Sequence, residues 1–432
     1  MVAASTRNES IVLNKSITVR ASGLVTLRPG NFRGIDIQCN SCGVVGFTLE
    51  NFEQAAGTNT STARSNVVLR DLKFRNVGAG IWVYGTNWTV ERVTINPFRC
   101  RSGEDYINAF GTGHTFRRLF FAGLLPSDLR RPDGTYKHND CIQTWTAGGA
   151  IGLKNTLIEE CIFTDFAQGT YLHNETGIMN GVNGITVRNN VFWGSPFPRP
   201  GGSIPSHGTR YTGPQSGPMV LNNNLYRNIA SNLSLEHMSA VTVQGNIVVD
   251  SGGVYALEGT SSSAVNRGTV GNILWHNNWT GNISGPPDKT NINPQLQNPN
   301  AVGAAVIGPD GIPWTDDDAW RPMNPAAVTY GPQLTLNQIP PGEDVDQDLL
   351  LDIFETDTGT FVSEEDTGSD PTDPDSDDDG VMDGIEITLQ TDPNNPNDFP
   401  ILALNTALQV LGIALLGLAA VRYSHLWPKS RL

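Results

Sequence analysis

Residues 184–192 read GITVRNNVF and residues 218–226 read PMVLNNNLY. Both are strand-like, both turn on a run of asparagine, and both end in a large aromatic ring. Working outward, the same shape recurs as SITVRASGLVTL (16–27), CGVVGFTLEN (42–51), NVVLRDLKF (66–74), NWTVERVTI (87–95), HTFRRLFF (114–121), NTLIEECIF (155–163), AVTVQGNIVV (240–249) and RGTVGNILW (267–275). The large apolar end positions are Leu27, Leu49, Phe74, Ile95, Phe121, Phe163, Phe192, Tyr226, Val248 and Trp275, spaced by 22, 25, 21, 26, 42, 29, 34, 22 and 27 residues. A period in the low to middle twenties, with 42 taken as a doubled step, signals stacked units. Strands parted by Gly and Asn, with no 3.6-residue pattern, make the units β and the chain a β-solenoid. Asparagine suits the corners because it tolerates a left-handed backbone.

At 432 residues, with 38% hydrophobic content and 46 Gly, the chain is turn-rich and globular. Its net charge of −15 is not spread evenly. Residues 1–342 hold 25 Lys/Arg and 23 Asp/Glu, residues 343–398 hold 20 acids and no base, and the last 34 residues hold three bases and no acid. The nearly neutral body lacks the clustered cations that phosphate binding requires, so nucleic acid is excluded as the partner. Five cysteines exclude a disulfide-dense scaffold. Cys39 and Cys42 (CNSC) fit a local disulfide or inert thiols better than zinc, and Cys100, Cys141 and Cys161 read as small apolar fillers.

The repeat texture over residues 8–300 resembles the right-handed parallel β-helix proteins of the pectate-lyase-like superfamily. The expected fold is all-β: a right-handed parallel β-helix, then an acidic calcium-repeat stalk and a C-terminal transmembrane helix. A second strand set, GAGIWVYG, GEDYINAFG, HNDCIQTW and AQGTYLHN, aligns Gly80, Asp105, Asp140 and Gly169 in one column. Strand alternation then puts Asp105, Ile107 and Ala109 on one face with Asp140, Ile142, Thr144, Trp82, Tyr84, Tyr171 and His173. Ile81, Val83, Tyr106, Asn108, Cys141, Gln143, Thr170 and Leu172 take the other. Unpartnered carboxylates resist burial, so the aspartate face is expected outward. Stacked coils bring Asp105 against Asp140, where they repel unless they share a cation or one is protonated. Glu104 and His138 flank the pair, and the insertion LLPSDLRRPDGTYK (124–137) carries Asp128, Arg130, Arg131, Asp133 and Lys137 to its rim.

The superfamily resemblance implies acidic sugars held through calcium and carboxylates, with a basic side chain removing the proton beside the uronate carboxylate. Lys137 or His138 suits that role better than an arginine, which scarcely gives up its proton. The candidate catalytic residues are therefore Asp105, Lys137, His138 and Asp140. The candidate substrate contacts are Trp82, Tyr84, Glu104, Arg130, Arg131, Tyr171 and His173. Turnover would make the chain a polysaccharide lyase or glycoside hydrolase; without it the chain is a surface adhesin or structural module. SHGTR (206–210) resembles a fragment of the polygalacturonase pattern, but the paired-aspartate motif is missing, and His207 and Arg210 read as loop residues.

DPDSDDDGVMDGIE (373–386) holds the twelve-position calcium loop. Asp375, Asp377 and Asp379 take positions 1, 3 and 5, Gly380 the turn, Val381 the carbonyl, and Asp383 and Glu386 complete the shell. Thirty-one residues earlier Asp344, Asp346, Asp348, Asp352 and Glu355 repeat the spacing, with Leu349 at the turn position. The proline-rich flanks resemble the tandem calcium repeats of thrombospondin type 3, which implies a calcium-stiffened stalk.

Ile401–Val421 is a charge-free run of 21 residues, long enough as a helix to span a bilayer. Arg422, Lys429 and Arg431 follow, which puts the C-terminus in the cytoplasm and the body outside. The pattern resembles bacterial C-terminal sorting anchors. An exported body requires a leader, and the apolar core of one is missing from MVAASTRNESIVLNKS, so the start of the natural protein is expected to lie elsewhere. The expected divisions are 1–280 β-helix, 281–342 loop-rich cap or linker, 343–398 calcium repeats, 400–422 membrane helix and 423–432 basic tail. The expected whole is a cell-surface protein with a monomeric body, whose partners are an acidic polysaccharide and the membrane.

Overall fold

A computed structural model describes residues 2–29, 32–58, 62–99, 105–123, 139–145, 152–164, 166, 168–173, 181–194, 207–213, 217–256, 259–260, 262–277, 286–308, 313–314, 318–332, 346, 348, 350, 354–362, 367–389 and 391–398. The chain divides into two compact units, residues 1–336 and 337–432. In the first, 28 described strands join in one continuous sheet, each coil pairing in parallel with the next. This ladder, with one coil per repeat, is a parallel β-helix.

The end positions read from sequence are one stacked row. Leu27 pairs with Leu49, Leu49 with Phe74, Phe74 with Ile95, Ile95 with Phe121, Phe121 with Phe163, Phe163 with Phe192, Phe192 with Tyr226, and Tyr226 with Val248. Two details differ. Val248 pairs with Leu274, not Trp275, which lies in the neighbouring row with Val249. The step of 42 is a single coil carrying an insertion, because Phe121 and Phe163 pair directly. Inside the helix the row is an aromatic stack: the Phe121–Phe163, Phe163–Phe192 and Phe192–Tyr226 centroids lie 5.5, 5.2 and 5.0 Å apart.

Each coil from Thr115 onward breaks this side into two short strands, such as Ile185–Arg188 and Val191–Trp193. The corner residue is left-handed: Arg118 (φ 52°), Glu160 (54°), Asn189 (54°) and Asn223 (52°) fill successive corners. The next residue in the later coils is a fully buried asparagine. Asn190 Nδ2 donates to Asn224 Oδ1 at 3.0 Å, Asn224 to Asn246 at 3.1 Å, and Asn246 to Asn272 at 2.8 Å. The asparagines at the turns thus do two jobs, one conformational and one as an interior amide ladder.

The described residues between 286 and 332 form turns and the 3-10 segment Gly303–Ile307. They cover one outer face of the coils, where Val306, Ile307, Trp314 and Trp320 pack with Ile162, Trp193 and Leu225. In the second unit the described residues are turns and the helix Asp383–Leu389. No helix among the described residues is long and apolar enough to cross a membrane. The run Ile401–Val421 lies outside the described residues.

Asn224→Ala tests the ladder. It removes the acceptor of Asn190 N and Nδ2 and the donor to Val187 O, all buried. Each orphaned group costs about 1–3 kcal/mol, so denaturant unfolding should register a loss of at least about 2 kcal/mol.

Candidate functional site

The strand set read as a site forms its own ladder, and its register is set by isoleucines. Ile81 pairs with Ile107, Ile107 with Ile142, and Ile142 with Thr170. Asp140 pairs with Gln168 and Gln168 with His207. Asp105 and Asp140 therefore share a column as expected, but Gly80 and Gly169 sit one residue away from it. A one-residue slip exchanges the faces of every side chain in the strand. Trp82, Asn108, Gln143, Tyr171 and Arg210 form one outward row, and Asn108 and Gln143 lie beside the aromatics rather than opposite them. Ile107, Ala109, Ile142 and Thr144 are core, each 0% exposed.

The outward placement of the aspartates is overturned as well. Asp105 is 5% and Asp140 0% exposed. Alternation fails at this point because the strand bends. Tyr106 and Ile107 are consecutive and both buried in the core, as are Cys141 and Ile142. The ladder skips from Asp140–Gln168 to Ile142–Thr170, and from Gln168–His207 to Thr170–Thr209. Glycine fills the bend where space runs out: a Cβ on Gly169 would lie 2.8 Å from the Phe192 ring, and one on Gly208 2.5 Å from that of Tyr226.

The aspartates are coupled. Asp140 N donates to Asp105 Oδ1 at 2.7 Å. Burial, then the charge of Asp105, pushes the Asp140 carboxyl well above its ordinary value, and Arg210 opposes the shift. Their repulsion is thus met by favouring a proton on Asp140. One coil beyond Gln168, burial and then Arg210 lower His207 to about 4, so its imidazole is neutral at pH 7.

The row above carries the rings. Trp145 meets Phe110 edge-on at 4.5 Å and Trp82 at 5.8 Å. Tyr171 stacks on His173 at 5.4 Å, and the Arg210 guanidinium lies 5.0 Å over the Tyr171 ring. Trp82 and Tyr84 stand with Phe110 and Trp145 in one cluster, and Tyr171 and His173 in another three coils from Trp82, all on the face opposite Ile107 and Ala109. Glu104, Arg130, Arg131, Lys137 and His138 lie outside the described residues. His207 and Arg210, read as loop residues, stand on the strand His207–Thr212, in register with Gln168 and Tyr171. Their signal is the alternation in HGTRYT, obscured in sequence by the Gly- and Pro-rich stretch before it. Cys39 and Cys42 are joined in a disulfide, and Cys141 and Cys161 are buried thiols.

In the second unit Asp375, Asp377 and Asp379 bring carboxylate oxygens within 4.8 Å of one another, as do Asp346, Asp348 and Glu355. The first loop is drawn tight by its own backbone, with Gly380 N donating to Asp375 Oδ2 at 2.9 Å and Val381 N to Asp379 Oδ1 at 2.9 Å. Glu386 is 0% exposed. Both its carboxylate oxygens lack a hydrogen-bond partner, as do Asp377 Oδ2, Asp379 Oδ2 and Glu355 Oε2. Burial first, then neighbouring aspartates, lift Glu386 to about 8 and Glu355 to about 9. Buried, unpartnered carboxylates converging in this way fit a hard cation, which takes oxygen ligands. Asp383 is engaged differently: its two oxygens accept from Ser376 N at 2.9 Å and Ser376 Oγ at 2.6 Å. The two loops are tied by Gly384 N donating to Asp348 Oδ2 at 2.7 Å. Asp344 and Asp352 lie outside the described residues.

The chain matches no family model and no curated protein. Among solved structures it is similar to pectate lyase Pel9A, at 13% identity and a TM-score of 0.42 over 67% of this chain and 72% of that one. It is also similar to Dettilon tailspike protein, at 12% identity and a TM-score of 0.35 over 63% of this chain and 54% of that one.

The Asp140 environment predicts a pH dependence. With its folded value raised above the ordinary 3.8, the folded chain holds a proton that the unfolded chain releases, so stability falls as pH rises from about 4. Asp140→Asn cannot ionise and escapes that loss. In thermal melts across this range the variant should gain on the wild type as pH rises; parallel profiles would mean that Asp140 ionises freely.

Proposed function

We propose that the β-helix binds an acidic polysaccharide along the outward row from Trp82 to Arg210. The observation that supports this reading is the row itself: the half-buried Trp82, Gln143 and Arg210 present a ring, an amide and a guanidinium, with Asn108 and Tyr171, 5% and 9% exposed, packed between them. Rings offer apolar faces to sugar C–H surfaces, amides donate and accept, and Arg210 pairs with a carboxylate. Such a row takes a chain lying along the helix axis.

Cleavage is the second reading, favoured by His207 and Arg210 standing on one strand, with Arg210 near enough to act on both His207 and the buried Asp140. Removing the proton beside a uronate carboxylate needs a neutral base and a cation to hold the developing charge. His207 is neutral at pH 7 and Arg210 is charged. The insertion residues Lys137 and His138 are further candidates for the base.

The acid clusters of the second unit are proposed to bind calcium, with Asp375, Asp377, Asp379 and Glu386 as one ligand group and Asp346, Asp348 and Glu355 as part of another. Bound calcium would offset the burial and the repulsion that raise Glu386 and Glu355, and so stiffen a stalk. The charge-free run Ile401–Val421 is proposed as the anchor that holds the body at the cell surface.

One set of measurements tests the reading. Titration of the full chain with oligogalacturonides should give binding that Trp82→Ala weakens about tenfold, the worth of one stacking contact of roughly 1.5 kcal/mol. Ultraviolet absorbance from unsaturated uronates would establish cleavage; binding without it leaves an adhesin. Calorimetry with calcium should lose one site in Asp379→Ala, and a chain that takes up no calcium would sink the metal assignment.

A further inference from the structure

The outward row does not begin at Trp82. Through the ladder it continues to Gly57 and then Asp36. There a cleft of about 610 Å³ opens, lined by Asn14, Arg33, Asp36, Gln38, Thr58 and Arg64 among others. It abuts the Trp82 coil, since Thr58 N donates to Trp82 O at 3.2 Å.

The charges in the cleft are not balanced. Asp36 is engaged on both oxygens, by Arg33 Nη1 at 2.7 Å and Gln38 Nε2 at 2.7 Å. Arg33 is held further by Nε donating to Gln54 Oε1 at 2.9 Å. Arg64 has no carboxylate partner among the described residues, and its Nε is buried without a hydrogen-bond partner. That N–H is sealed from a ligand, but the half-buried Arg64 lines the cleft and brings to it a charge that no carboxylate among the described residues offsets. The Trp82 indole N–H, on the same side, is likewise buried without a partner.

We infer that this cleft is a second anion subsite, in which Arg64 receives a carboxylate or sulfate of the same polysaccharide chain that lies along the Trp82–Arg210 row. The inference rests on the proposed function. Six coil steps separate Asp36 from Arg210, about 29 Å at the usual strand spacing. A chain occupying both ends must therefore be long, and short oligomers reach only one. The Arg64 subsite supplies length dependence and preference for acidic over neutral chains.

The test uses the full chain and three oligomer series of increasing length, oligogalacturonides, sulfated oligosaccharides and neutral gluco-oligosaccharides, with affinity measured by titration. Wild type should bind long acidic oligomers at least about tenfold more tightly than short ones, and Arg64→Gln should remove that gain while leaving short-oligomer affinity unchanged. Gln38→Glu, an exposed position, places a like charge in the cleft and should have the same effect even if Arg64→Gln folds poorly. Retention of the length gain in both variants would overturn the subsite and leave the proposed function standing, whereas equal affinity for neutral oligomers would overturn the acidic-polysaccharide reading together with the subsite. Absence of binding by wild type to every oligomer would overturn both. Long-chain gains that persist for galacturonides but vanish for sulfated oligomers of equal length would assign the subsite to carboxylates; the reverse would assign it to sulfate esters.

Discussion

Everything in the β-helix depends on one constraint: each coil must hydrogen-bond in register with the next at about 4.8 Å. A residue is therefore judged by what stands directly above and below it. Phe121, Phe163, Phe192 and Tyr226 satisfy the constraint by stacking rings. Asn190, Asn224, Asn246 and Asn272 satisfy it by passing an amide hydrogen bond along the axis. The same rule makes the proposed ligand surface a row rather than a pocket, because outward residues repeat at the coil spacing along one side.

That constraint explains what the sequence discloses. The Leu27-to-Val248 row is legible because a large apolar residue closes the strand in coil after coil, and burial keeps it large. The reading slips at Trp275, which belongs to the adjacent row with Val249, Arg227 and Trp193 that faces residues 286–332. The aspartate column is read correctly at Asp105 and Asp140, but their exposure is not. A bend lets two consecutive residues face inward, and no periodicity argument detects a bend. His207 and Arg210 are missed for a related reason, since the strand holding them follows a Gly- and Pro-rich stretch and its neighbours in register are distant in sequence.

The second unit is legible for the opposite reason. Its spacing is local, a twelve-residue pattern whose acids meet without any help from distant coils. What the pattern does not disclose is the division of labour: Asp383 binds Ser376, and Asp348 reaches Gly384 to tie one loop to the other. The two loops are thus one hydrogen-bonded structure, and a change at either is felt by the other.

The central claim, that one outward row of the β-helix is the ligand surface, is tested most directly by hydrogen–deuterium exchange of the full chain with and without a long oligogalacturonide. The account predicts added protection in the strands holding Trp82, Asn108, Gln143, Tyr171 and Arg210, with the strands Met219–Asn222 and Val241–Gln244 on another side unchanged. Protection confined to those other strands, or uniform along every side of the coil, would contradict it.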